Sequence, residues 1–372
     1  MRTWFRGRRR IYAAGAVVVV AAAAAVIVPV TMADSEESCW SAPESVTRLA
    51  ADPVAATRAF DPGADLAAFD KVRGLLAHER ICNAQALGKA VESATVSAPG
   101  KAHTEAQARA AYAVAAAYGV DAEVPAGLEP YLARMLANHA VDSAAAWSDP
   151  SFGKEKATGP TSPGSGRLAR PFWDQAEPRT AFEYTALRLD TSPHLPALME
   201  ALARDPEAFA VLYDAERAYL ATFLEHTDPR TLLADEKDYD GRKTGYKEIA
   251  FDVRFSLAEL AERVGALMRA RSLLAESGGI ADPGVYDEEV RRRLKGAYPT
   301  GDQRATDRPL SGDIARRPTD GKLSGDVFDG RHQLLRVLDQ WIEAHQVPAR
   351  TAELIRAQMD SAYVRGLAMR RL

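Results

Sequence analysis

The sequence predicts an all-α protein: one N-terminal transmembrane helix followed by a helical bundle outside the membrane. Three observations carry that prediction. Five arginines (Arg2, Arg6, Arg8, Arg9, Arg10) precede an uncharged apolar run from Ile11 to Val30. Beyond that run, apolar residues recur at spacings of three and four, the helical period. Short β-branched runs of period two, the signature of strands, are almost absent after Val30.

The first element is residues 1–33. Twenty helical residues, 11–30, span a hydrocarbon core of roughly 30 Å. The arginine cluster is held in the cytoplasm, so the chain after Ala33 is expected outside. The run is longer than the apolar region of a cleaved signal peptide, about 7–15 residues, which favours an uncleaved signal anchor. Thr31-Met32-Ala33 offers a small-residue cleavage site, so secretion after a cut near Ala33 is the alternative. Glu36-Glu37-Ser38 before Cys39 argues against a lipid-modified cysteine.

Composition narrows the class. All 51 acidic residues lie after Ala33 and five of the 47 basic residues lie before it, so the exported part carries a net charge of −9. A nucleic-acid binder shows a basic face or stripe, and this sequence has none. Arginine outnumbers lysine by 37 to 10 and alanine is abundant. That bias is one of coding in a GC-rich bacterial genome, and both residues are strong helix formers. The two cysteines, Cys39 and Cys82, are both exported into an oxidising space. The simplest reading joins them, closing a loop that would stabilise the fold by roughly 4 kcal/mol. Free thiols, or a bond from Cys39 to another chain, remain open. A His78–Cys82 metal pair at helical spacing lacks the further ligands such a site needs.

The exported chain divides into an N-terminal helical region (34–147), a linker or long loop (148–170) rich in Gly, Pro and Ser, and a C-terminal helical region (171–372). In the first, Asp65 to Val96 predicts one or two helices. Thr104 with Gln107 forms a capping box opening a helix to Tyr118. Residues 127–147 carry Leu128, Leu132, Met135, Leu136 and His139 on one face. In the second, helices are expected near 193–204, 206–226, 246–277, 284–297, 327–346 and 349–370. The longest, 246–277, is buried along one stripe and ends at Gly278-Gly279. Residues 298–325 read as a second polar loop. The last two helices are expected to turn at Gln346-Val347-Pro348. Asp-Pro occurs at 52–53, 149–150, 205–206, 228–229 and 282–283. Asp is a good N-cap and Pro suits the first helical position, so these are separate helix starts rather than a repeat.

Four patterns bear on chemistry. Glu236, Asp238 and Asp240 with Gly241 resemble the start of an EF-hand loop. The resemblance departs at position 12, where Lys247 stands and Glu248 is displaced by one, so weak or no calcium binding is expected. Ser151-Phe152-Gly153-Lys154 and Lys243-Thr244-Gly245 look like the S-x-x-K and K-T-G elements of penicillin-binding proteins. Their setting, a Gly/Pro linker and an expected polar turn, does not suit that fold. Glu276-Ser277-Gly278 is similar to the catalytic Glu-Ser of lytic transglycosylases, whose general acid needs an apolar pocket to raise its pKa. The downstream segment of that family is missing. The seven histidines (His78, His103, His139, His194, His226, His332, His345) are scattered and read as surface or satisfied core residues. Trp40, Trp147, Trp173 and Trp341 read as core anchors. No nucleotide-binding or nucleophile motif is present, so no cofactor, metal or catalytic residue is implied.

The sequence therefore sets an expectation of location more than of activity. It describes a single-pass membrane protein with a helical domain for contact with another protein of a bacterial cell envelope. The alternative is a cell-wall-active enzyme using a carboxylate such as Glu276.

Overall fold

The computed structural model describes residues 39–99, 101, 103–118, 123–140, 143–144, 194–237, 243–249, 251–300 and 314–368. The expected anchor at 11–30, the site near Ala33 and the segment 148–170 lie outside them. Among the described residues no helix is long and apolar enough to cross a membrane.

The described chain is helical with one β-hairpin. Its elements are α1 (Glu44–Thr47), α2 (Pro53–Phe60), α3 (Phe69–Leu76), α4 (Ala84–Thr95), α5 (Glu105–Ala116), α6 (Glu129–Asn138), α7 (Leu195–Leu202) and α8 (Pro206–Glu225). The hairpin, β1 (Leu233–Lys237) and β2 (Lys243–Ile249), follows. Then come α9 (Phe251–Glu276), α10 (Pro283–Arg293), α11 (Gly330–Ala344) and α12 (Ala349–Ala368).

The helix starts follow from their caps. Asp52 Oδ1 accepts the Ala55 N–H (3.0 Å) at α2, and Asp205 Oδ1 accepts that of Ala208 (2.8 Å) at α8. Asp282 Oδ1 takes the amides of Gly284 (2.9 Å) and Val285 (3.0 Å) at α10. Asp228 caps only a short 3-10 turn, Pro229–Thr231. Asp149-Pro150 lies outside the described residues. The capping box is present: Gln107 N–H donates to Thr104 Oγ1 (3.2 Å) and Thr104 N–H to Gln107 Oε1 (3.0 Å). Each such cap satisfies an amide that the helix itself leaves unpaired.

The hairpin corrects two expectations. A polar turn was expected at Lys243-Thr244-Gly245 and a helix from Tyr246. Instead β1 and β2 pair antiparallel, Leu233 opposite Ile249 and Asp235 opposite Lys247, with the register broken by a bulge between Asp235 and Lys237. Thr244, Tyr246 and Ile249 favour extended backbone. Asp240-Gly241, between the strands in sequence, is a hairpin-type dipeptide. The long helix accordingly begins at Phe251.

The core is built on α8. Every residue from Ala208 to Leu224 except Val211 is buried. Helices α6, α9, α10 and α11 pack around it. Through α6 the two helical regions join into one unit. Arg134 on α6 donates to Glu92 Oε2 (3.0 Å) on α4 and to Glu207 Oε1 (2.7 Å) on α8. Arg316 reaches back to Ser97 O (2.8 Å).

The turn between α11 and α12 falls where expected. Gln346 adopts a φ of +50° and Val347 N–H closes onto Ile342 O (3.1 Å). The main partner of α12 is nevertheless α9. Their backbones meet at two glycines. A Cβ on Gly366 would lie 2.0 Å from Glu262 O, and one on Gly265 would lie 2.3 Å from Tyr363 O. Of the expected second polar loop, 298–300 and 314–325 are described: Tyr298 is fully buried, and Ala297 just before it bridges to Asp320.

Cys39 and Cys82 stand at disulfide distance, with Cα atoms 5.3 Å apart. Their segments are held side by side. Trp40 N–H donates to Arg80 O (3.0 Å) and Cys82 N–H to Trp40 O (2.9 Å). The Asn83 side chain brackets Ala42, accepting its N–H (2.8 Å) and donating to its carbonyl (2.9 Å).

Candidate functional site

Helix α8 is apolar nearly all round, so its charged residues have no solvent face to occupy. Four of them are buried and each meets a partner from another segment. Glu216 holds Arg263 of α9, whose Nε donates to both carboxylate oxygens (3.1 and 3.0 Å). Glu225 holds Arg317, whose Nη1 donates to Oε2 (2.7 Å) and whose Nη2 also reaches Pro299 O (2.6 Å). Asp214 and Arg217 pair within the helix. Asp214 Oδ2 also accepts the Lys295 N–H (2.9 Å), and Arg217 Nη1 donates to Gly296 O (3.2 Å). The Arg217 guanidinium lies 5.1 and 5.2 Å from the ring centres of Tyr213 and Tyr298.

Arg217 and Arg263 are each 1% exposed, so these pairs sit in a low-dielectric interior. Burial pushes Asp214 above its ordinary range, opposed by Arg217 and the Lys295 amide. Burial works against the charge on Arg263, but Glu216, with Tyr219 and Glu259, outweighs it and raises the guanidinium. Burial also raises the phenols of Tyr213 and Tyr298, which stay neutral. These carboxylates already spend their lone pairs on arginine. The arrangement fastens α9, the 295–299 segment and the 314–317 turn onto α8; it does not present a general base.

A second buried polar cluster lies where the ends of α4 and α6 meet. His103 and His139 are 3% and 1% exposed, and their rings stack with centroids 3.7 Å apart. Asn138 Oδ1 accepts the Ser97 N–H (2.9 Å), which fixes it as the oxygen, so His103 Nε2 donates to it (2.6 Å). His139 Nε2 donates to Thr95 O (2.9 Å). Burial lowers His139 to about 4, opposed by the bond to Thr95 O. Both are core histidines, each bonded through Nε2; their stacking was not legible from positions 36 apart.

The remaining candidates do not converge. Glu276 is exposed as the last residue of α9, away from the apolar enclosure that a raised general acid requires. Glu236 lies on β1, and Lys247 and Glu248 lie on β2, so the acidic segment belongs to a hairpin and not to a helix–loop–helix. Asp238 and Asp240 are outside the described residues. Lys243-Thr244-Gly245 is on a strand rather than in the expected turn, but that sheet has two strands among the described residues. Ser151 and Lys154 are outside them. His78 stacks on Trp40 with centroids 3.8 Å apart and bonds Gly74 O (2.8 Å), while Cys82 stands at disulfide distance from Cys39. His194 caps α7, accepting the Ala197 N–H (3.2 Å). His226 and His345 donate to carbonyls of their own helices. Trp341 is a fully buried anchor, as expected; Trp147 and Trp173 are outside the described residues. Among the described residues no group of three His, Cys, Asp or Glu side chains is placed to hold a metal.

Two surface recesses lie among the described residues. One, of about 530 Å³, is lined by Thr47, Asn83, Gln85, Lys89 and Gly127 beside Cys82. The other, of about 390 Å³, is lined by Thr300, Asp320, Gln340 and Glu343. On the outer face of α12, Leu354, Val364 and Leu367 are exposed. No known protein family, curated protein or solved structure matches this chain.

Proposed function

We propose that this is a single-pass membrane-anchored protein of a bacterial cell envelope, with its N-terminus in the cytoplasm and its helical unit outside. It works by contact with another envelope protein. The observation that carries the location is the cluster Arg2, Arg6 and Arg8–Arg10 ahead of the uncharged run 11–30. The cysteine pair at disulfide distance supports the same side of the membrane, because such pairs persist where thiols are oxidised.

Contact is favoured over catalysis by the state of the polar groups. The buried carboxylates of α8 are engaged by arginines, and Glu276 stands exposed at a helix end. A catalytic acid or nucleophile needs a group facing a site and tuned toward its task.

Protease added to intact protoplasts tests the topology: digestion of everything after Asp34 is expected, and complete protection would overturn it. Crosslinking of the full-length protein in intact cells tests the activity. A discrete crosslinked complex with one envelope protein is expected. Release of peptidoglycan fragments by the purified protein, lost in Glu276→Gln, would replace contact with the enzyme reading.

A further inference from the structure

The His103–His139 stack joins segments that are distant in sequence. His103 stands just before the Thr104 cap of α5. Asn138 and His139 end α6. Thr95 ends α4, and Ser97 follows it. One carboxamide oxygen, Asn138 Oδ1, collects both the Ser97 amide and the His103 imidazole. The His139 ring then closes the cluster onto Thr95 O. Ser97 O in turn takes Arg316 from the far region of the chain (2.8 Å). The tie to the far region at this end therefore lands on Ser97, whose amide is held by the same Asn138 oxygen that takes the His103 imidazole.

The geometry demands neutral rings. Each Nε2–H is committed to an acceptor, so a proton could enter only at Nδ1. It would place a charge in a buried space, 3.7 Å from the other imidazole. A second proton would place two like charges face to face. The charged groups on the packed elements are Lys89 and Glu92 of α4, Glu105 and Arg109 of α5, Glu129 and Arg134 of α6, and Arg316; Lys89 is exposed, and Glu129 accepts the Gly127 N–H (2.6 Å). Glu92 is bound to Arg134, and Glu105 to Arg109. Arg316 brings a further positive charge to the Ser97 side of the cluster.

We propose that the stacked His103–His139 pair is an acid-released clasp, holding the end of α6 to the α4–α5 connection while both rings are neutral and letting go when one takes a proton. The medium outside a bacterial membrane is not held at the pH of the cytoplasm, so a domain placed there meets such protons. This use of the clasp rests on the proposed topology; the proton linkage itself does not.

The sign follows from the depressed histidine. His139 has a folded value of about 4 against 6.5 in an open state, so the open state binds more protons between those values. Closure is complete above about pH 6.5 and weakens as pH falls toward 4, where the loss levels off. For one such group the opening constant rises about 20-fold from pH 7 to pH 5.

Hydrogen exchange on the full-length protein, corrected for intrinsic exchange chemistry, reads the clasp directly. Protection of the Ser97 and His139 amides should fall about 20-fold from pH 7 to pH 5, while amides in the middle of α8 keep theirs. In His139→Gln, whose amide can still donate to Thr95 O, the pH dependence should largely disappear. Should that variant fail to fold, the wild-type ring protons of His139 supply the second reading. Their titration should have a midpoint well below 6.5, in step with the lost protection. Constant protection of Ser97 down to pH 4.5, or a His139 midpoint near 6.5, would overturn the proposal whatever the topology proves to be.

Discussion

The two regions of this protein solve the problem of buried polarity in different ways. The N-terminal region, 39–144, packs on small residues: α5 alone buries Ala108, Ala110, Ala111, Ala113, Ala115 and Ala116. Gly88 of α4 sits directly under the Tyr131 ring, where a Cβ would approach to 2.3 Å. Its interior polar groups are mainly neutral, an imidazole pair, an amide, hydroxyls and backbone carbonyls, with Glu129 as its buried carboxyl group. The C-terminal region, 194–368, packs on aromatic side chains around α8 and buries full charges in arginine–carboxylate pairs. A neutral network costs little to bury but fails when a proton arrives. A buried ion pair fails when one partner is deleted. The two halves should therefore break under different insults.

The largest expected effect is in the C-terminal half. Arg263→Met leaves Glu216 buried without a counter-charge, which should cost about 3–5 kcal/mol. Pairing it with Glu216→Leu should recover most of that loss, because two apolar groups of similar volume replace the pair. Urea unfolding of the full-length protein in detergent measures both. A single variant within 1 kcal/mol of wild type, on the scale of a surface ion pair, would mean that the pair is not truly dry.

Next is the staple of the N-terminal half. If Cys39 and Cys82 are joined, Cys39→Ser with Cys82→Ser should cost about 2–4 kcal/mol, chiefly by freeing the unfolded chain. Peptide mapping without reductant should find the linked pair. If reductant leaves the wild-type urea midpoint unmoved, the half is held by its backbone bonds at Trp40, Arg80 and Cys82 instead.

The glycine contact comes third. Gly366→Ala would drive a methyl group to 2.0 Å from Glu262 O, backbone that cannot swing aside. Separating α9 from α12 to admit it should cost about 1–3 kcal/mol. Thermal unfolding should show it, and a neutral outcome would mean that the crossing is looser than drawn.

How much of this was legible in sequence depends on the range of the interaction. The caps at Asp52, Asp205 and Asp282 and the Thr104–Gln107 box are local, and residues three apart declare them. The stripe along α9 and the turn at Gln346 are likewise written in helical spacing. The hairpin was missed because Lys, Glu and Gly interrupt its β-branched residues. Asp240-Gly241 was the available signal, and the EF-hand resemblance drew attention from it. The ion pairs were missed because pairing is non-local: Glu216 and Arg263 are 47 residues apart. The sequence did contain a cue, since α8 offers no polar face on which Asp214, Glu216 and Arg217 could be solvated. The histidine stack had no cue, because nothing in the spacing of residues 103 and 139 sets two rings in contact.

The smallest effect tests whether the N-terminal half is limited by packing or by backbone freedom. Gly74 lies within α3, exposed, and a Cβ there would meet nothing within 4 Å. Its φ is not positive, so alanine fits the existing backbone without strain. The substitution leaves the folded contacts unchanged and removes conformations from the unfolded chain, which should stabilise by about 0.4–1 kcal/mol. Its place near the C-terminal end of a short helix puts the expectation at the lower end. The same change at Gly88 adds the same methyl group in the same half but against Tyr131, and should destabilise. Opposite signs for these two alanines would establish that close packing governs this half. Stabilisation by both would show that the Tyr131 ring gives way, and that the alanine-rich helices are less tightly fitted than the ion-paired ones.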